Sequence, residues 1–201
     1  MKKESRFEAR YINGDLPWDV KRADSSLTIL VEDKTIPQGR VLEIGCGTGD
    51  NSIWLAQQKF EVTACDVSVT AIKLAKEKAQ KNKVDCNFMV ADFLNESISG
   101  GLFDFVFDRG CFHSFRKKKE RLKIARNVSS HLNENGLWLS LMGSADAPPR
   151  EIGPPMLSAK NIVDAVEKYF EVISLTKSHF ETDQPNPAPN WVCLMKKRRK
   201  D

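Results

Sequence analysis

The chain has 201 residues, 41% hydrophobic and 29% charged, with a formal net charge of +4, which suits one water-soluble domain spanning 1–201 with its own core. No apolar run reaches the length of a bilayer-spanning helix, and the basic start "MKKESRFEAR" has no apolar stretch behind it, so neither a membrane span nor a secretory leader is expected. The five cysteines (46, 65, 86, 111 and 193) include no CxxC pair; a disulfide framework and a metal site are therefore not expected, and a reducing, cytoplasmic setting is.

Residues 1–37 precede the first strand and read as a helical cover. "GRVLEIG" then reads as a short buried strand closed by glycine, followed by a helix carrying Ile53, Trp54, Leu55 and Ala56. "EVTACD" is a second strand. "SVTAIKLAKEKAQKNK" is the clearest helix, with Ser68 as its cap and Ala71, Leu74, Ala75 and Ala79 at helical spacing. "DCNFMVAD" and "LFDFVFD" give the third and fourth strands. A helix over 117–132 presents Leu122, Ala125, Val128 and Leu132, and "NENG" turns the chain into a fifth strand, "LWLSLMG". A loop rich in Pro and Gly spans 144–155. It is followed by a capped helix in "SAKNIVDAVEKYF", a strand in "EVISLTKSHF" and a last strand in "NWVCLM". This alternation predicts an α/β fold, a doubly wound sheet of seven strands with helices on both faces.

In such sheets ligands bind at the carboxyl ends of the strands, and a glycine-rich first turn belongs there. Gly45-Cys46-Gly47-Thr48-Gly49 has GxGxG spacing, which is neither the dinucleotide GxGxxG nor a GxxxxGK phosphate loop. Asp66 ends the second strand, where a carboxylate can accept from both ribose hydroxyls, or serve only as a turn residue. Asp92 ends the third strand and can take an adenine amine, with Phe93 packing on the ring.

Together "VLEIGCGTG", "VTACDVS", "MVADF" and "FDFVFDRG" resemble the successive motifs of class I S-adenosylmethionine-dependent methyltransferases, over roughly residues 38–143. The resemblance implies a Rossmann-like, mostly parallel sheet with an antiparallel last strand. It implies S-adenosylmethionine as cofactor, its methionine half lying against Glu43, the loop Gly45 to Gly49 with Cys46 and Thr48, and Asn51. Asp66 and Val67 then fall to the ribose side, Asp92 and Phe93 to the adenine, and Asp108 and Arg109 near the methyl group.

The acceptor is less well marked. An Asn/Asp-Pro-Pro-aromatic run, as in enzymes methylating amino groups of bases, is missing. "LPWDVKRADSSL" (16–27) and "PPREIGPPMLSAKNIVDAV" (148–166) resemble segments of the thiopurine, thiol and tellurite methyltransferases, and the first of these places Trp18 as a lid over the cofactor or as core. A small-molecule acceptor, such as a thiol, follows from that resemblance. "DRG" after the fourth strand is also similar to the "DKG" of some protein lysine methyltransferases, and a cofactor-binding protein without catalysis is a further alternative. Nucleic-acid binding through "RKKKERLK" and "KKRRKD" lacks a recognition motif.

His113 could act as general base or be a hydrogen-bonded wall residue. Arg109 could hold an anionic acceptor or pair with Asp108 or a neighbouring acid. Arg150 is a second candidate for an anion, and Phe112 and Met156 are candidates for apolar contact. Cys111 reads as wall, since direct transfer needs no covalent intermediate.

Overall fold

The computed structural model describes residues 6–146 and 155–199. Seven strands form one sheet in the order β3-β2-β1-β4-β5-β7-β6. They are β1 (Arg40–Ile44), β2 (Glu61–Asp66), β3 (Asn87–Val90), β4 (Phe103–Arg109), β5 (Leu132–Gly143), β6 (Phe170–His179) and β7 (Pro189–Lys197). The strands from β3 across to β5 pair in parallel, and β7 runs antiparallel between β5 and β6. Strand order reverses between β1 and β4, where Leu42 pairs with Val106, so a crevice opens above these two strands.

The apolar strands divide their side chains between two cores. Ile44, Val106, Trp138, Met142 and Cys193 pack on one face with α5 (Lys118–His131) and α6 (Ala159–Val166). Val41, Phe105, Phe107, Leu139 and Leu194 pack on the other with α2 (Ser25–Glu32), α3 (Asp50–Gln57) and α4 (Val69–Asn82). A strand buried on both faces needs near-continuous hydrophobicity, which is why "VLEI" and "FVF" look as they do. Each large side chain sealed in this way, such as Trp138 or Phe105, contributes about 1.5–3 kcal/mol of burial. The remaining helix, α1 (Arg6–Asn13), lies against α4.

The expected elements are present, with local corrections. Ser68 caps α4 by accepting from the Ala71 N–H at 2.9 Å, but Ile72 is buried where Leu74 was expected; Leu74 turns outward. "NENG" is not a separate turn before β5. It lies inside that strand as a bulge, because Phe103 pairs with Leu132 and Phe105 with Leu137, leaving Glu134 and Asn135 exposed. On α5, Ile124 rather than Leu122 reaches the core.

Candidate active site

The loop after β1 turns through three left-handed glycines, Gly45, Gly47 and Gly49, with φ of 69°, 55° and 85°. A Cβ on Gly45 would stand 2.9 Å from the Cys111 Cβ, and one on Gly47 would stand 2.7 Å from the Tyr11 hydroxyl, so neither position has room for a side chain. Beneath this loop Asp66 accepts from the Gly47 N–H at 3.0 Å and, through its other oxygen, from the Ser68 N–H at 2.9 Å. Burial raises its pKa. Asp92 follows β3, one strand away, and accepts from the Leu94 N–H at 3.0 Å and the Asn95 amide at 2.8 Å. Between the two, Val67 stands 40% exposed.

Among the described residues no ion pair engages Asp66, Asp92 or Asp108. The Cys111 thiol, set in their midst, is pushed well above its usual range by burial first and then by Asp108, Asp66 and Asp92. A chain of net charge +4 thus keeps carboxylates without ion-pair partners around the crevice at its strand ends.

The N-terminal segment closes over that crevice. Glu8 on α1 accepts from the hydroxyls of Ser68 and, at 2.6 Å, Thr70, at the positive end of α4. Tyr11 brings its hydroxyl over Gly47 and accepts from the Trp18 indole N–H at 3.2 Å. Trp18 is half-buried, with the Arg10 guanidinium 4.4 Å from its ring centre. Farther along, Asp24 caps α2 and takes the Arg109 Nε–H at 2.7 Å, while its own N–H donates to Asn51 at 2.9 Å. Asn51 donates at 3.1 Å to Glu43, whose second oxygen takes the Ser52 hydroxyl. Burial of Glu43 pushes its pKa up to about 7, the hydrogen bonds from Ser52 and Asn51 opposing it. One polar chain therefore links β4, the cover, α3 and β1.

The other half of the site is drier. Near the end of β4, Asp108 receives the Phe112 N–H at 2.9 Å and the Cys111 N–H at 3.2 Å, and its other oxygen takes the Trp138 indole at 3.0 Å. This fixes a single 3₁₀ turn at Phe112–Ser114. His113, buried in that turn, accepts the Gly143 N–H on Nδ1 at 2.6 Å and meets the Phe180 ring edge-on at 5.7 Å between centres. An Nδ1 that accepts belongs to a neutral ring with its proton on Nε2.

Comparison with known proteins places this geometry. Residues 41–136 match the family model of a methyltransferase domain. The chain is 28% identical over 160 residues to a 2-heptyl-1-hydroxyquinolin-4(1H)-one methyltransferase of Mycobacteroides abscessus, covering 78% of this chain and 69% of that one. It is 30% identical over 151 residues to a probable thiol methyltransferase 2 of Arabidopsis thaliana, covering 74% of this chain and 65% of the relative. A solved structure from work on converting a disulfide bond into a thioacetal group in echinomycin biosynthesis superposes with a TM-score of 0.79 at 25% identity, over 92% of this chain and 87% of the other. Residues 41–136 thus form a methyltransferase domain, and the chain resembles the class I S-adenosylmethionine-dependent methyltransferases.

Within this methyltransferase several side chains sit differently from expectation. Glu43 lies under the glycine loop and spends both oxygens on Asn51 and Ser52. Cys46 points into the core behind the loop, and Thr48 donates to Asp19 of the cover at 3.1 Å. The Phe93 ring turns away from the crevice into the core and meets His131 at 5.4 Å, because an apolar ring gains more there than at a wet rim. Asp108 is buried against Trp138, and Phe112 packs on the same indole at 5.3 Å instead of lining an open pocket. Arg109 is committed to Asp24, the Trp18 carbonyl and the Glu181 carbonyl, so it joins segments and does not face the crevice as an anion holder. Met156 is exposed, and Arg150 falls outside the described residues.

Sequence reasoning passed over Tyr11, Asp24, Phe180 and Asn190. Tyr11 and Trp18 lie seven apart, a weak signal that both face one way. Asn190 is the one polar residue opening the otherwise apolar "NWVCLM". Asp24 and Phe180 carry no signal of their own, since only the fold brings them to Arg109 and His113.

Proposed function

We propose that this single-domain chain transfers a methyl group from S-adenosylmethionine to a small acceptor, a thiol or another soft nucleophile, in the cytoplasm. The observation that carries the reading is the pair of strand-end carboxylates, Asp66 and Asp92, beside a glycine loop with no room for side chains at Gly45 and Gly47. A sulfonium and an ammonium group gain from unneutralised carboxylates, and a ligand without phosphates needs no cradle of cations. Asp66 has the place and the lone pairs to accept from ribose hydroxyls, Asp92 to accept from an exocyclic amine, and Val67 offers the exposed apolar contact for the base. The backbone of Gly45–Gly49 would border the methionine half.

When bound, the cofactor supplies an electrophilic methyl carbon on a positively charged sulfur. The chain's own contribution is to hold and to dry the site. Tyr11 and Trp18 cover the loop and exclude water, and the Arg109–Asp24 pair anchors that cover to β4. Cys111 is no nucleophile, because its thiol is held protonated far above neutral pH. His113 contributes a neutral ring whose Nδ1 is already engaged, a wall rather than a base. The packing of Phe180 on His113, with Arg109 tying the Trp18 and Glu181 carbonyls to β4, supports a small acceptor over a protein side chain, and the thiol assignment draws on the likeness to the Arabidopsis protein.

Titration calorimetry with S-adenosylmethionine, followed by methyl transfer to a panel of thiols, amines and carboxylates, tests the reading. Micromolar cofactor binding and turnover of a thiol are expected. Binding of NAD with none of S-adenosylmethionine would overturn it.

A further inference from the structure

Asn190 is the second residue of β7 and is 1% exposed, and neither its Nδ2 nor its Oδ1 has a hydrogen-bond partner among the described residues. Among the described residues the other buried side-chain atoms without a partner are Arg121 Nε and Ser140 Oγ, so Asn190 is the one carboxamide in this state. Its position in the sheet is specific. Asn190 pairs directly with Gly143 of β5 in an antiparallel ladder. Directly opposed residues there send their side chains to the same face, about 4.5–5.5 Å apart at Cβ. Gly143 sends none, and a Cβ built on it would stand 3.4 Å from His113 Nδ1 and collide with the Pro155 carbonyl. The carboxamide of Asn190 therefore shares the side of the sheet on which the His113 ring lies, at the carboxyl end of β5.

Buried amides are normally satisfied, and one that is not calls for a group that arrives later. We propose that Asn190 is a specificity-determining residue for the methyl acceptor, its carboxamide receiving an amide or lactam group that presents a donor and an acceptor side by side. This rests on the methyltransferase reading above. A carboxylate would leave Nδ2 satisfied but set its charge against Oδ1, and an ammonium would leave Nδ2 unmet; an amide-like group meets both ends. The acceptor would enter past Phe180, whose ring meets that of His113. The connection that follows it is closed by the Phe180 N–H bond to the Ala188 carbonyl at 2.8 Å and is tied through Glu181 to Arg109, so acceptor entry and the cover share one anchor.

The experiment uses the full chain loaded with S-adenosylhomocysteine and two probes, thiophenol and 2-mercaptobenzamide, which differ by a carboxamide. The side-chain amide resonances of Asn190, assigned by their loss in Asn190→Leu, should shift with 2-mercaptobenzamide, which should bind at least about tenfold more tightly than thiophenol. Asn190→Leu should erase that ratio while cofactor affinity and thermal midpoint hold. Asn190→Asp, of the same shape but without the donor, should erase it too and covers the case of a misfolded leucine variant. Equal binding of the two probes by the unaltered protein, or a ratio that survives both substitutions, would overturn the assignment and leave Asn190 a residue satisfied by buried water. Failure to load S-adenosylhomocysteine would instead overturn the methyltransferase reading, and the present inference with it.

Discussion

The two halves of the site are built by different means. At the ends of β1, β2 and β3 the chain uses backbone geometry and carboxylates: left-handed glycines, and Asp66 and Asp92 bonded to N–H groups within a few residues or one strand away. At the ends of β4, β5 and β7 it uses side chains from distant segments, with Arg109 reaching Asp24 and Glu181, His113 reaching Gly143 and Phe180, and Asn190 set beside Gly143. The first half suits a ligand that does not vary, and the second can be altered one residue at a time. A scaffold that keeps one methyl donor and changes acceptors would be divided in this way.

The division can be broken most forcefully at Arg109. Its side chain is 11% exposed and that of Asp24 2%, so removing the guanidinium strands a buried carboxylate. Arg109→Met should cost about 3–5 kcal/mol in urea unfolding. A loss below about 1 kcal/mol would mean that the cover is held by other contacts and that the two halves are not joined through this pair.

Glu43 tests the cofactor half from beneath. The folded protein holds its proton up to about 7, whereas an unfolded chain releases it near 4.5. The folded state thus binds the proton more tightly, so this contribution is present below about pH 4.5 and is lost as pH rises towards 7, by up to about 3 kcal/mol. Glu43→Gln should flatten that fall when urea midpoints are compared at pH 5 and pH 8. A smaller slope should remain from Asp108, which burial pushes up to about 6. Parallel losses in the two proteins would show that burial of Glu43 is not the source.

Asp66→Ala should weaken S-adenosylmethionine by about 1.5–3 kcal/mol, roughly ten- to a hundredfold, through loss of charge-assisted bonds to ribose. The KM for a thiol should stay put, because the acceptor half shares no side chain with Asp66. Calorimetry paired with initial rates measures both, and an equal rise in the two constants would dissolve the division.

How legible each half was follows from the same contrast. The strands, the cap at Ser68, the glycine loop and the strand-end acids could be read because their causes lie within a few residues of one another. Phe93 was misplaced because an aromatic at a strand end satisfies either a ligand or a core, and only the packing of α5 decides. Arg109 and Asp24 are 85 residues apart, and no local pattern pairs them. Asn190 acquires meaning only from a register that sets it against a glycine.

The smallest expected effect is at His113, and it bears most on the chemistry. A general base needs a nitrogen ready to receive a proton, yet Nδ1 already accepts from the Gly143 N–H at 2.6 Å, which leaves the ring proton on Nε2. If the ring is a wall, His113→Ala should lower turnover of an ionised thiol by less than about tenfold, with the loss traced to an orphaned Gly143 N–H. His113→Asn, whose Oδ1 can take the place of Nδ1, should restore most of it. A general base would behave otherwise: both substitutions would cost about 10²- to 10⁴-fold, and the pH–rate profile would lose its acidic limb. An alanine loss recovered by asparagine, on an unchanged profile, would assign His113 to the architecture of the acceptor half and leave proton removal to the acidity of the thiol itself.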